Sequence, residues 1–380
     1  NIVVAGYYYS VATFGATTLT GGEGYEVFIA KLDSDGNWLW ATRAGGTNND
    51  YGWDLDVDAS GDISVVGYFE GIAAFGSTTL TSTGDRDIFV AKLDSNGNWS
   101  WATRAGGINS DYASGVAIDG SGNVLVTGDF SRTSSFGSIE LTSAGANDAF
   151  VGKLDTNGNW LWVKQGGGAG ADWGYGVAVD NSNNPVVTGY YYDTATFGET
   201  NITSAGVSDI FVAKLDTNGN WVWASTAGGG SYDYGYRVDV DTDGDIYVAG
   251  HFRGTATLGT ADTLASAGHR DPFVAKLDSD GNWLWGRNSG GTSEDLGFGL
   301  ALKPDDSENV VTTGYFFGSA SFGDTTLTSA GNYDVFVAEF DSDGNRFIYS
   351  HLLPGLPSAV DITVSDSSGS ASTTITLDVG

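Results

Sequence analysis

The 380-residue chain carries 47 acidic against 16 basic side chains, a formal charge of −31, which rules against nucleic-acid binding because a phosphate backbone needs clustered Lys and Arg. No run approaches the roughly 20 apolar residues of a membrane-crossing helix, and no basic amphipathic segment offers a hold on anionic lipid, so no membrane insertion is expected. Cysteine and methionine are both absent, which removes disulfides and thiol chemistry.

One unit repeats along the chain. Gly-Asn-Trp recurs at Trp38, Trp99, Trp160, Trp221 and Trp283, at steps of 61, 61, 61 and 62 residues. Phe14-Gly15, Phe75-Gly76, Phe136-Gly137, Phe197-Gly198, Leu258-Gly259 and Phe322-Gly323 keep the same period, so six copies span almost the whole length. Fifty-eight Gly and five Pro, with no long helical periodicity, give an all-β chain of short strands and tight turns.

The chain starts at Asn1 and is read as either a processed mature protein or a piece of a longer one. Its opening segment, Asn1, Ile2, Val3, Val4 through Tyr7, matches the second strand of a copy, so the first copy begins without its first strand. The third copy shows the complete unit. Residues 115–119 read as a strand, Gly120 to Asn123 as a hairpin turn, and Val124–Phe130 as the returning strand. An excursion over 134–142 precedes a third strand, Asp148–Leu154. The turn over 155–159 leads into Trp160–Lys164, a fourth strand ended by Gly166-Gly167-Gly168. Four consecutive antiparallel strands in about 61 residues make one β-propeller blade. Strands such as Ile88–Leu93 are apolar on both faces, as expected of sheets stacked between neighbours. A closed propeller is the expected arrangement, with an open solenoid of the same unit as its alternative.

Residues 116–128 (Val-Ala-Ile-Asp-Gly-Ser-Gly-Asn-Val-Leu-Val-Thr-Gly), followed by 148–155 and a Gly-Gly-terminated strand, resemble the secreted bacterial and archaeal seven-bladed β-propeller repeat. The resemblance covers residues 1 to about 353 and implies a large surface or extracellular protein with no assigned catalytic residues. Six copies stand here where the family name has seven.

Residues 354–380 fall outside the repeat and hold two alternating segments, Val360, Ile362, Val364 and Ile375, Leu377, Val379. Either this tail closes its own ring, or it pairs with the incomplete first copy (Asn1, Ile2, Val3, Val4) of the next molecule and builds a fibre. An immunoglobulin-like module is the third reading.

Candidate chemical sites divide into repeated and irregular ones. Ten of the twelve Trp form Trp-x-Trp pairs, whose regular recurrence points to packing between copies rather than to sugar binding. Five of the seven Lys share one repeat position, Lys31, Lys92, Lys153, Lys214 and Lys276, with Glu339 in the sixth copy, and pairing with Asp87, Asp148, Asp209 or Asp271 is expected. Tyr7, Tyr8, Tyr9 and Tyr190, Tyr191, Tyr192 vary between copies and are the candidate ligand surface. Asp239, Asp241, Asp243 and Asp245 alternate before a turn like the first half of a calcium loop but lack its distal Glu; a strand running into an Asp-Gly turn explains the same residues. Asp54, Asp56, Asp58 and Asp62 form a looser version. Asn98 and Asn201 fit the N-glycosylation pattern. His251, His269 and His351 lack metal-ligand spacing, and no nucleophile elbow or carboxylate pair stands out, so no enzyme is expected. The reading is a non-enzymatic structural subunit of an extracellular or cell-surface assembly, its partners further copies of itself or other surface proteins, with no cofactor required and calcium at the Asp239 turn as an option. The alternative is a carbohydrate-binding adhesin.

Overall fold

The computed structural model describes residues 1–303, 308–349, 360–365 and 372–377, with side chains up to residue 345. Among these residues the chain is strand and turn throughout, and no helix is long and apolar enough to cross a membrane. Ahead of the tail it forms two compact units, one over Asn1–Gly166 and one beginning at Gly167.

Each complete copy is an antiparallel four-stranded blade of β-propeller type. In the third copy the strands are Tyr112–Ile118, Val124–Phe136, Ile139–Leu154 and Trp160–Gly168, paired in that order. The first copy has the last three of these, as Ile2–Phe14, Thr17–Leu32 and Trp38–Gly46, and Ile2–Phe14 pairs with Thr17–Leu32 alone. Val360–Ser365 and Ser372–Leu377 in the tail pair with each other as a separate two-stranded sheet. Val360, Ile362, Val364, Ile375 and Leu377 lie on these strands, whereas Val379 lies outside the described residues.

The turns explain much of the acidic composition. In Asp94-Ser-Asn-Gly-Asn98 the Asp94 carboxylate accepts the backbone N–H of Asn96 and Asn98, both at 2.9 Å, and the Asn98 side-chain amide bonds back to it. The same cap is built on Asp33, Asp155, Asp216, Asp278 and Asp341, and these bonds to the ionised form hold each carboxyl below its ordinary range.

Two expectations about the unit are corrected. The excursion is a hairpin extending the second and third strands, and its outer edge pairs with the fourth strand of the preceding copy: Ser134 lies opposite Gly107 and Ser135 opposite Gly106. The fourth strand therefore runs through its Gly-Gly instead of ending there. This stitch recurs at Gly45-Gly46, Gly167-Gly168, Gly228-Gly229 and Gly290-Gly291. Glycine is required at both positions. The first has positive φ, 142° at Gly106, and a Cβ on the second would strike the neighbouring carbonyl, 1.7 Å from Thr255 O for Gly229.

The core lies between copies. Phe69, Phe75, Phe89, Val65 and Leu93 of the second copy pack with Val27 and Ile29 of the first, each fully buried and contributing on the order of 2 kcal/mol. The Trp pairs also join copies. Trp99 stands edge-on to Phe75 at 5.3 Å and donates to Arg43 O, and Trp101 donates to Thr156 O in the next copy. Trp223 and Trp285 repeat the second contact with Ser279 and Ser342. Their indoles are thereby committed to structure.

Candidate functional site

The lysine position pairs differently from expectation. Lys153 meets Asp119 at 2.7 Å, Lys214 meets Asp180 at 2.9 Å, Lys92 meets Asp58 at 2.9 Å, and Lys276 meets Asp245 at 2.8 Å. These acids sit in the turn between the first two strands of the same copy. Asp87, Asp148, Asp209 and Asp271 instead cap the excursion, accepting N–H from Thr83, Ala144, Ala205 and Ala267. Lys31, whose copy has no such turn, donates to Ser95 O at 3.2 Å.

The same ladder occupies the proposed calcium turn. Asp241 accepts N–H from Asp243 and Asp245, Asp239 accepts the Leu302 N–H at 2.9 Å, and Asp243 is exposed. A cation already stands there, the Lys276 ammonium, 3.7 Å from Asp241 and 2.8 Å from Asp245. Asp56 mirrors Asp239, accepting the Ile118 N–H at 2.7 Å, and Asp54 accepts that of Val116 at 2.9 Å. Among the described residues no group of three or more His, Asp or Glu is gathered to hold a metal ion.

Alternation along the strands sorts the tyrosines. Tyr8 and Tyr191 are buried, Tyr191 with its hydroxyl 2.9 Å from Thr226 Oγ1, while Tyr7, Tyr9, Tyr190 and Tyr192 lie on the other face. What joins them comes from the first strands. In each complete copy that strand shifts register by one residue, at Trp53, Ser114, Tyr175, Tyr236 and Phe298. A bulge re-aims its side chain, and four of these five are aromatic.

In the first unit Tyr7 touches Tyr25, Tyr51 and Trp53, at ring distances of 5.4, 4.5 and 6.5 Å. Tyr51 and Trp53 lie nearly parallel, 16° apart, and Tyr68 and Tyr112 extend the row. Arg86 closes it: its guanidinium lies 5.1 Å over the Tyr68 ring, donates to the Tyr112 hydroxyl at 3.0 Å and pairs with Glu70 at 2.9 Å. Beside this row opens a cleft of about 650 Å³ lined by Asn48, Glu70, Ser82, Asp85, Arg86 and Ser110. The aromatic row thus meets, through Arg86 and Glu70, a cleft lined by donors and acceptors.

The second unit carries its own row. Tyr190 contacts Trp173, Tyr175 and Tyr234, and the line continues through Tyr236 and Phe298 to Tyr315 and Tyr333. Arg270 lies 5.6 Å over Tyr234 and pairs with Glu294 at 3.3 Å. His251 is buried against Tyr234 and Tyr236, and burial, with the Arg270 charge second, holds its pKa far down, so its imidazole is neutral. At the position of Tyr7, Tyr68, Tyr190, His251 and Tyr315 the third copy has Asp129, which burial pushes up to about 8 despite its 2.6 Å bond from Asn147.

Of the glycosylation candidates, Asn98 commits its amide nitrogen to Asp94, whereas Asn201 is exposed on a hairpin with its carbonyl oxygen accepting from Thr196 at 2.7 Å. Asn1 is exposed, Val3 is buried in the core shared with the second copy, and Val4 is buried in a cluster of first-copy residues.

Comparison with known proteins gives a family but no activity. Residues 100–129 match the SBBP β-propeller repeat. The chain is 27% identical to the regulatory protein FlaEY of Caulobacter vibrioides, over 95% of this chain and 40% of that protein. It is also 27% identical to an uncharacterized WD repeat-containing protein of Acanthamoeba polyphaga mimivirus, over 59% of this chain and 21% of that one. The chain thus spans two fifths or less of these curated relatives. Among solved structures, the WD40 domain of Neurospora crassa Pan2 superposes with a TM-score of 0.43 at 11% identity, covering 92% of this chain and 84% of that one. The matched residues hold the first hairpin of the third copy, and the other complete copies reproduce its strands and turn in the same register, so the chain is built from β-propeller repeats of this kind.

Proposed function

We propose that the chain is a non-catalytic binding protein whose aromatic rows stack on sugar rings of an extracellular or cell-surface glycan. The observation that carries this reading is the first-unit row, where the line of the near-parallel Tyr51 and Trp53 meets, through Arg86 and Glu70, a cleft of charged and amide side chains. Sugars present an apolar C–H face and a rim of hydroxyls. An aromatic floor beside Asn48, Glu70, Asp85 and Arg86 answers both, the rings burying the face and the polar wall setting which hydroxyl pattern fits. A glycan array read with the purified chain tests it: selective binding that is lost in Trp53→Ala supports the reading, and an array with no selective binder sinks it.

A second reading, a self-assembling structural subunit, draws on one observation. Among the described residues Ile2–Phe14 is paired along one edge only, leaving a row of backbone groups to which another strand can add. Light scattering of the full chain and of one ending at Leu353 decides it. Polymers that vanish on truncation favour assembly through the tail; a monomer in both cases removes it.

A further inference from the structure

Each stitched Gly-Gly is flanked by two buried carboxylates, one capping the excursion of its own copy and one opening the next copy. In the second copy these are Asp87 and Asp111. A Cβ on Gly106 would lie 2.9 Å from Asp87 Oδ1 and 3.1 Å from Asp111 Oδ2, so both oxygens face the hollow that glycine leaves. A fourth-strand guanidinium offsets this charge: Arg104 pairs with Asp87 at 2.8 Å, and Arg43 pairs with Glu26 at 3.0 Å in the first copy.

The third copy replaces the guanidinium with the Gln165 amide, which donates to Asp148 Oδ2 at 2.6 Å, and the fourth and fifth copies keep the carboxylates but give their outer carboxylate no fourth-strand side-chain donor. The residue aligned with Arg43 and Arg104 is Thr226 in one and Asn288 in the other. Asp271 is 1% exposed and Asp209 3%, and Oδ1 of each has no hydrogen-bond partner. Each of these oxygens is aimed at a glycine hollow, 2.7 Å from a Cβ built on Gly290 and 2.8 Å from one on Gly228. The second carboxylate is anchored beside it, Asp295 Oδ2 by the Gly291 N–H at 2.7 Å and Asp233 Oδ2 by the Gly229 N–H at 2.8 Å. Asp87 Oδ1 is likewise unpartnered, but there Arg104 supplies the positive charge through Oδ2.

We infer that the Asp271–Asp295 and Asp209–Asp233 pairs each bind a hard cation, calcium in the first instance, in place of the fourth-strand side-chain donor that the first three copies carry. The donors are all oxygen, the class that selects calcium over softer metals, and with two carboxylates per site the rest of the shell falls to water. Asp271, Asn288 and Gly290 line an open cleft of about 610 Å³, which gives the ion a route in.

The repeat supplies its own test. Chelator-stripped protein is titrated with calcium chloride at pH 7.5 by calorimetry, alongside Thr226→Arg, Asn288→Arg and the double variant. One ion per pair is expected, with each arginine abolishing one and the double variant abolishing both. Absence of calcium binding overturns the proposal, as does full binding by the double variant, which would place the ions elsewhere, at the Asp239 turn for example. Asp271→Asn serves if an arginine variant does not fold: it too must lose one ion, and its retention of both is equally fatal.

Discussion

Lys303 and Glu339 form a 3.2 Å ion pair in the sixth copy with its charges exchanged relative to the second to fifth copies. Lys303 occupies the turn position of Asp58, Asp119, Asp180 and Asp241, and Glu339 the strand position of the repeated lysine. Both ends changed together, so the structure requires opposite charge at this spot, not a particular sign. Glu339→Lys alone sets two ammonium groups against each other and is expected to lose about 1 kcal/mol, since Lys303 is one-third exposed. Adding Lys303→Asp should recover most of that in urea unfolding. A double variant no better than the single one would show that the pair does not couple.

The stitch makes a sharper claim about neighbouring glycines. A Cβ at Gly229 would lie 1.7 Å from Thr255 O, while one at Gly230 meets nothing within 4 Å. Gly229→Ala should therefore lose about 3 kcal/mol and Gly230→Ala change stability by no more than about 0.5 kcal/mol. Equal midpoints in denaturant for the two would contradict the described approach.

In the first-unit site, Trp53→Ala and Arg86→Ala should each weaken the glycan found on the array roughly tenfold or more, about 1.4 kcal/mol per decade. Leu39→Ala, on an exposed fourth-strand position, serves as the control and should bind normally. Loss of binding in all three would point to a general defect rather than to the aromatic row.

Stability should fall as pH rises from about 4 to 7. Burial pushes Asp50, Asp233 and Asp271 up to about 7 and Asp111 to about 6, all from an ordinary 3.8. Over that window the folded chain holds more protons than the unfolded one, so the contribution is complete below the unfolded value and is lost through the folded one. The turn carboxylates Asp119 and Asp180 act oppositely: their depressed values give stability that is present above about 4 and fades in stronger acid. Melting in metal-free buffer should consequently be highest near pH 5. A maximum at pH 8 would mean that the buried acids are ionised at no cost.

The blade was legible because its determinants are local. The Asp-x-x-Gly-Asn turns, the alternating strands and the Trp spacing each follow from a few adjacent residues. The stitch was not legible, since its glycines pair by backbone and a Gly-Gly in a sequence also reads as a stop. Lysine partners were misassigned for a different reason. Strict periodicity places several aspartates at a fixed distance from each lysine, and only the fold decides which turn lies under the ammonium. Tyr7 and Tyr190 were read together with their neighbours, but consecutive residues on a strand face opposite ways, so Tyr8 and Tyr191 could not join them. Tyr51 and Trp53 were missed because the register shift that turns Trp53 outward leaves no mark that a pattern of apolar residues reveals.

The seam between copies includes main-chain bonds across paired glycines, which recur in the same form at each described border. A joint so generic lets a gene gain or lose whole units by recombination, each new border re-forming from the same two residues. Copies freed in this way from the task of recognising their neighbours can diverge where it does no structural harm, as Trp53, Ser114, Tyr175, Tyr236 and Phe298 have at one shared bulge.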